Sequence, residues 1–202
     1  MDLRLEEVAE PTPGPGEIVV GVDRALTCAT DGKMLRNGRH PALPELPAPF
    51  GHELAGTVVA VGSGVESPAE GERVVVANSA PCGECRWCRR GRPNLCPDIR
   101  YLVGAFAERV LVPARIAAVN ALPIPEGLPA EHAALTEPVA CALHGADRVA
   151  AREDDLVVVL GGGLQGCVLT AALSGRGCRV WLCDPHEGRR RRGRAFGAER
   201  AW

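Results

Sequence analysis

Four of the nine cysteines fall in one stretch, PCGECRWCRRGRPNLCP, as Cys82, Cys85, Cys88 and Cys96. The spacing is C-x2-C-x2-C-x7-C, in a loop rich in Gly, Pro and Arg. Closely spaced thiolates on turns can wrap one tetrahedral zinc ion. Four protein ligands leave no open position, so such a site is structural. Arg86, Arg89, Arg90 and Arg92 would offset the thiolate charge. The competing reading is redox-active or merely buried cysteines, but a polar loop is poor core material.

A second set is more dispersed. Cys28 lies in CATD, His52 and Glu53 in GHELAG, and Glu137 in TEPVACALHG. Alone, a cysteine is usually a small core residue and a histidine a satisfied structural one. Here they sit in Gly/Pro-bounded segments between strands, where functional groups gather. Glu137 also suits a helix N-terminus, where the dipole favours a carboxylate. One Cys, one His and one carboxylate make a three-ligand set with a position left open, as a catalytic zinc requires.

The third pattern is Gly161, Gly163 and Gly166, a G-x-G-x-x-G after an apolar run and before a helical stretch. In that context the glycines allow a tight turn and bring a pyrophosphate close to the helix N-terminus. Asp184 stands at the end of the next apolar run. An acid there accepts hydrogen bonds from the adenosine ribose and repels a 2′-phosphate, favouring NAD over NADP. Its competing role is a turn residue before Pro185. Arg189 to Arg192, with Arg194, read as a solvated helix face, although Arg189 could lean on the ribose and admit NADP.

The elements that must position these residues change character along the chain. Ile18–Val22, Leu54–Val61, Arg73–Ala77, Ala105–Val112 and Ile116–Val119 read as strands separated by turns such as PTPGPG (11–16). Residues 28–50 read as a functional loop with Pro41, Pro44, Pro47 and Pro49. The first 120 or so residues thus predict an all-β, barrel-like unit. Pro129–Ala134 and Pro138–Ala150 read as helices, the latter with proline in its first turn. DLVVVL (155–160), a helix to Ser174, CRVWLC (178–183) and a helix over Glu187–Phe196 follow, the β-α-β-α order of a parallel layer.

Composition excludes several classes. The chain has 202 residues, 46% hydrophobic, with a formal net charge of -2, so no global basic field recruits nucleic acid. No run approaches the length of a membrane span. The first ten residues are charged throughout, unlike a signal peptide, so the cysteines are expected to be reduced or metal-bound in the cytoplasm. His40, His132, His144 and His186 read as structural. Cys141, Cys167, Cys178 and Cys183 read as buried fillers.

GHELAGTVVAVGSGV (51–65) resembles the zinc signature of medium-chain, zinc-dependent alcohol dehydrogenases. The four-cysteine lobe, GAFAERVLVP, TEPVACALHG and GGGLQG follow in that family's order. The Glu-Pro form is most similar to the sorbitol and threonine dehydrogenase branch. The resemblance implies a mixed fold: a GroES-like β-barrel over 1–127 with the structural zinc lobe at 82–96, connecting helices at 128–153, and a partial α/β Rossmann domain at 154–202. It implies two zinc ions per chain. Cys28, His52 and Glu137 would be catalytic zinc ligands, Glu53 the neighbouring carboxylate that can exchange, and Asp31 the partner that orients His52.

Thr30 would take the substrate proton. Lys33, the only lysine, stands where many members carry a relay histidine, and Ala29 replaces the usual glycine. The implied reaction is reversible oxidation of a secondary alcohol, of polyol or hydroxy-acid type, with hydride passing to NAD. The implied partners are a small-molecule alcohol and further copies of the chain, with no nucleic acid and no membrane. Such nucleotide sheets have six strands, of which the sequence offers the first two. Two readings follow: a C-terminally truncated dehydrogenase, or a zinc-binding remnant or half that needs a partner chain.

Overall fold

The computed structural model describes residues 2–38, 40, 42 and 45–202; Pro41 and Pro44 of the proline-rich loop lie outside them. It divides into two compact units, Met1–Thr136 and Glu137–Trp202.

The first unit opens with strand β1 (Ile18–Leu26), helix α1 (Ala29–Asn37), β2 (Glu53–Val61) and β3 (Arg73–Val76). A lobe follows, enclosed by the short strands β4 (Ser79–Ala80) and β5 (Arg100–Tyr101) and carrying the single-turn helix α2 (Arg86–Arg89). Then come β6 (Arg109–Val112), α3 (Ala114–Asn120), β7 (Ala121–Pro123) and α4 (Ala130–Ala133). The main sheet has five strands in the order β6-β1-β2-β3-β7, every pair antiparallel.

Two expectations change here. Among the described residues the sheet is open rather than a closed barrel, with β6 and β7 at its edges. The run Ile116–Val119, expected as a strand, lies within α3. Pro113 sits at the N-cap of that helix, and Ile116 and Ala117 are buried beneath it. Ile116 and Val119 favour a strand by propensity, but Ala117 and Ala118 between them favour a helix, and burial of one helical face outweighs the weak strand preference. Similarly, α1 occupies the start of the segment expected to be loop. Its hydrophobic pattern is weak, and its start depends on a side-chain cap described below.

The core of this unit is aliphatic, built from Ile18, Val20, Leu54, Val58, Val74, Val112 and Ile116 among others. Alternation along β1 and β2 puts Ile18 and Val20, and Leu54 and Val58, on the side that faces this core. At Gly56 the β1 backbone comes so close that a Cβ would lie 2.1 Å from the Gly21 carbonyl oxygen. Three residues after the site residue Glu53, the last position of GHELAG therefore demands glycine for steric reasons.

The second unit runs α5 (Thr136–Val149), β8 (Leu156–Leu160), α6 (Leu164–Ser174), β9 (Arg179–Cys183), α7 (Glu187–Ala195) and β10 (Arg200–Ala201). Its sheet is parallel, in the order β10-β9-β8. The sequence predicted two strands; the structure adds β10, too short to read by pattern. Val159, Val180, Leu182 and Leu173 form the core beneath the helices, with Ala146 of α5.

Gly56→Ala is expected to destabilise the first unit by about 3 kcal/mol or more, because backbone must move to admit the methyl group. Gly64→Ala has open space but φ of 79°, and about 1–2 kcal/mol is expected. Scanning calorimetry of the two variants checks the difference; equal shifts would contradict the close-approach argument.

Candidate metal and nucleotide sites

Cys28 is the N-cap of α1. Asp31, in the first turn, accepts a hydrogen bond from the Cys28 backbone N–H on Oδ2 at 2.8 Å. Its other oxygen, Oδ1, accepts from His52 Nδ1 at 2.9 Å. Asp31 is 3% exposed and His52 7%, so this carboxylate is desolvated and held by charge-assisted bonds. Because Nδ1 donates to Asp31, the lone pair of His52 lies on Nε2. Nε2 is 3.8 Å from Glu53 Oε1, and one ligand atom each of Cys28, His52 and Glu53 all lie within 4.8 Å of one another. A sulfur, an imidazole nitrogen and a carboxylate oxygen gathered in this way fit the donor set of zinc.

The structure thus brings Cys28, His52 and Glu53 together. Thr30 and Lys33 are on α1, Thr30 half-buried and Lys33 exposed. Glu137 belongs to the second unit, near the start of α5, where its Oε1 accepts from Cys141 Sγ at 3.2 Å. Cys141, expected to be a buried filler, is exposed, whereas Cys167 and Cys178 are buried and Cys183 is half-buried.

The lobe brings together all four of its cysteines, with their sulfurs within 4.8 Å of one another. Sγ of Cys85 is 3.5 Å from that of Cys88, and Sγ of Cys96 is 3.5 Å from that of Cys82. A zinc ion with Zn–S bonds of about 2.3 Å sets tetrahedral S···S edges of roughly 3.8 Å, so the cage matches such an ion closely. Backbone N–H groups of Cys82 and Cys85 point at the sulfurs of Cys96 and Cys82, both at 3.4 Å. The Cys85 thiol is lowered to about 7, chiefly by the Cys88 backbone N–H. Burial pushes the neighbouring Cys88 thiol up to about 12. One thiolate forms readily and the next is opposed, a conflict that a divalent cation removes. Arg115 of α3 fastens the lobe to the sheet unit: it pairs with the Asp98 carboxylate at 2.9 Å and donates to the Asp98 carbonyl at 2.9 Å. That tie joins residues 17 apart and has no local sequence pattern that would reveal it.

In the second unit the glycine turn follows β8. A Cβ at Gly166 would lie 1.8 Å from the Gly161 carbonyl oxygen, so only glycine lets α6 begin this close to the strand end. Asp184 is 3% exposed. Its Oδ2 accepts from the Gly162 N–H at 2.8 Å and its Oδ1 from the His186 N–H at 2.8 Å. These two N–H groups, the Gly162 bond foremost, hold its carboxyl below the usual carboxylate range, with Arg189 adding to the effect. Arg189 Nη1 lies 3.5 Å from Asp184 Oδ2. Asp184 therefore clamps the glycine turn to the start of α7, a role invisible in the G-x-G-x-x-G spacing.

The arginine run is also more engaged than a solvated face. Arg190 donates to the carbonyls of Asp184 and Pro185, and Arg194 to that of Ala201. Among the described residues, no helix is long and apolar enough to cross a membrane.

Comparison with known proteins agrees with this geometry. Residues 14–126 match the alcohol dehydrogenase GroES-like domain. L-threonine 3-dehydrogenase of Stenotrophomonas maltophilia K279a is 35% identical over 204 residues, covering 97% of this chain and 58% of that protein. The structure of the Escherichia coli CFT073 alcohol dehydrogenase RspB, complexed with NADH, superposes with a TM-score of 0.89 at 34% identity, covering 100% of this chain and 59% of that one. A zinc-binding dehydrogenase from Sinorhizobium meliloti 1021 bound to NADP gives 0.87 at 36% identity, covering 96% and 56%. The chain thus spans somewhat more than half the length of these relatives. On the matched domain and these identities, it belongs to the zinc-dependent medium-chain alcohol dehydrogenase family.

Proposed function

We propose that the chain carries the zinc-binding and adenosine-binding portion of an NAD(P)-dependent oxidoreductase. Its reaction interconverts a secondary alcohol, of polyol or hydroxy-acid type, and the corresponding carbonyl compound. The observation that carries this reading is the convergence of Cys28, His52 and Glu53, with Asp31 fixing the imidazole. A zinc ion in that set supplies Lewis-acid polarisation of an alcohol, and a nicotinamide cofactor supplies the hydride acceptor.

The residues divide the remaining work. Asp31 orients His52 so that its Nε2 faces Glu53. Thr30, two residues beyond Cys28 on α1, takes the proton of the substrate hydroxyl. Lys33, exposed on the same helix, passes a proton toward solvent. Glu53 supplies the carboxylate next to His52, and Glu137 is the further carboxylate ligand. Gly161, Gly163 and Gly166 admit the pyrophosphate, and Asp184 with Arg189 stands at the adenosine ribose, with NAD preferred to NADP. Cys82, Cys85, Cys88 and Cys96 hold the structural zinc. Subunit association and a cytoplasmic setting complete the proposal.

Reduction of NAD by the purified chain with polyols or secondary alcohols tests the activity directly; no turnover at saturating zinc and NAD would sink it for these 202 residues.

Elemental analysis is expected to find about two zinc ions per chain and about one in Cys88→Ser. Asp31→Asn is expected to weaken zinc at the Cys28/His52 site by about 10- to 100-fold without touching the lobe. Comparing Glu53→Gln with Glu137→Gln in the same titration shows which carboxylate binds. Uniform zinc content across the variants would contradict the assignment.

Acid dependence offers a separate check. The Asp184 pKa is depressed in the folded state, so its contribution is complete above the unfolded value of roughly 4 and is lost as pH falls through the lower folded value. Thermal unfolding is expected to show an extra loss of stability below about pH 4, which Asp184→Asn removes while lowering stability at neutral pH. An identical acid limb in the variant would refute the clamp.

A further inference from the structure

One aromatic side chain lies against the residue before His52 without belonging to the core. Phe106, in GAFAERVLVP, is 41% exposed, whereas its neighbours Leu102 and Ala105 belong to the buried aliphatic cluster. Its ring stands where a Gly51 side chain would point. A Cβ at Gly51 would meet the ring atoms Cδ1, Cγ and Cε1 at 2.6, 2.7 and 2.9 Å. The main chains are joined at the same place. The N–H groups of Gly104 and Ala105 both donate to the Gly51 carbonyl, at 2.9 and 3.1 Å, and the Phe106 N–H donates to the Phe50 carbonyl at 2.9 Å. The Phe50 and Phe106 rings are 6.0 Å apart and inclined at 57°.

Gly51 has a φ of 84°. Glycine adopts either sign of φ at little cost, so Gly51 is a soft joint directly before His52. Rotation there would swing the imidazole away from Asp31, whose Oδ1 is 2.9 Å from His52 Nδ1. The three hydrogen bonds hold the carbonyls on either side of the joint, and the ring occupies the space into which its α-carbon would turn. A half-exposed ring gains less from burial than a core side chain does; what it supplies here is the exclusion of other Gly51 conformations. We propose that Phe106 is a positioning residue for His52: its ring locks Gly51 in the left-handed conformation and so keeps the imidazole on Asp31 with Nε2 toward Glu53. The consequence for a metal rests on the proposed zinc reading of Cys28, His52 and Glu53, but the hold on the imidazole does not.

The test uses the 202-residue chain and its Phe106→Ala, Phe106→Leu and Phe106→Tyr variants. Without metal, nitrogen-edited NMR follows exchange of the His52 Nδ1 proton held by Asp31. Exchange is expected to quicken by about 10-fold or more in Phe106→Ala. Phe106→Leu, which keeps an apolar side chain but no flat face, is expected to show the same loss and carries the test where the alanine variant does not fold. Phe106→Tyr is expected to restore the slow exchange. With divalent cobalt as the probe, chelator competition is expected to show affinity at the Cys28 cluster reduced by about 10-fold in Phe106→Ala, with the four-cysteine lobe unchanged as internal control. A ring proton as slow to exchange in the alanine and leucine variants as in the parent would overturn the proposal. So would a tyrosine variant as impaired as the alanine one, or a lowered melting temperature with ring proton and cobalt affinity unchanged, which would make Phe106 a packing residue only. A parent chain that takes cobalt at the lobe alone would count against the zinc reading instead, and proton exchange would then decide the role of Phe106 by itself.

Discussion

The carboxylate of Asp31 is almost wholly removed from water and accepts hydrogen bonds from two segments distant in sequence, the Cys28 N–H and the His52 Nδ1–H. A carboxylate in that position is costly unless its oxygens are satisfied. Bonds to a charged acceptor contribute about 1.5–3 kcal/mol each. Once they are made, three features are fixed together. α1 begins at Cys28, the Cys28 sulfur is held at the N-terminal end of that helix, and His52 turns its Nε2 toward Glu53. The arrangement of the Cys28, His52 and Glu53 cluster and the start of the helix are thus one constraint. The β1–β2 pairing supplies the other half, since Glu53 opposes Leu26 at the end of β1, two residues before Cys28.

The second unit repeats the device in another setting. Asp184 is as buried as Asp31 and also divides its two oxygens between separate backbone segments. Here the segments are the glycine turn and the start of α7. The Asp184 carboxylate therefore has a structural duty beside the ribose role expected from its place after β9. The two duties are compatible, because each carboxylate oxygen offers two lone pairs and the backbone N–H groups use one apiece.

How much of this was legible follows from the range of the interactions. The four-cysteine spacing, the glycine turn and the apolar runs of β8 and β9 are local patterns, and the structure realises them within a residue or two. Asp31 could be matched to His52 only through the family resemblance, since nothing in CATD alone says what lies 21 residues away. The α3 segment is ambiguous as sequence because Ile116 and Val119 suit a strand while the alanines between them suit a helix; what decides its state is the buried face under Ile116 and Ala117. The open edge of the main sheet and the Arg115–Asp98 tie depend on chain paths that composition does not encode. Cys141 was misassigned for a similar reason: an apolar helical segment does not reveal which of its faces a neighbouring strand covers.

The two clusters of candidate metal donors differ in a way that follows from their supports. Cys85 caps the single-turn α2 just as Cys28 caps α1, so both place a sulfur where backbone N–H groups converge. In the lobe, α2 itself and the flanking loops supply three more sulfurs within a short contiguous stretch, and the β4–β5 pair closes its base. Such a cage can assemble locally and has no place for a further ligand. The Cys28 cluster draws its donors from α1 and from the start of β2, and so exists only when the five-stranded sheet is formed. Its ligands come from rigid elements, with the thiol half-buried rather than sealed. A site that depends on global folding and stays accessible suits turnover, whereas a site made within one loop suits bracing that loop. The sequence separations of the ligands, long in one cluster and short in the other, already express that division of labour.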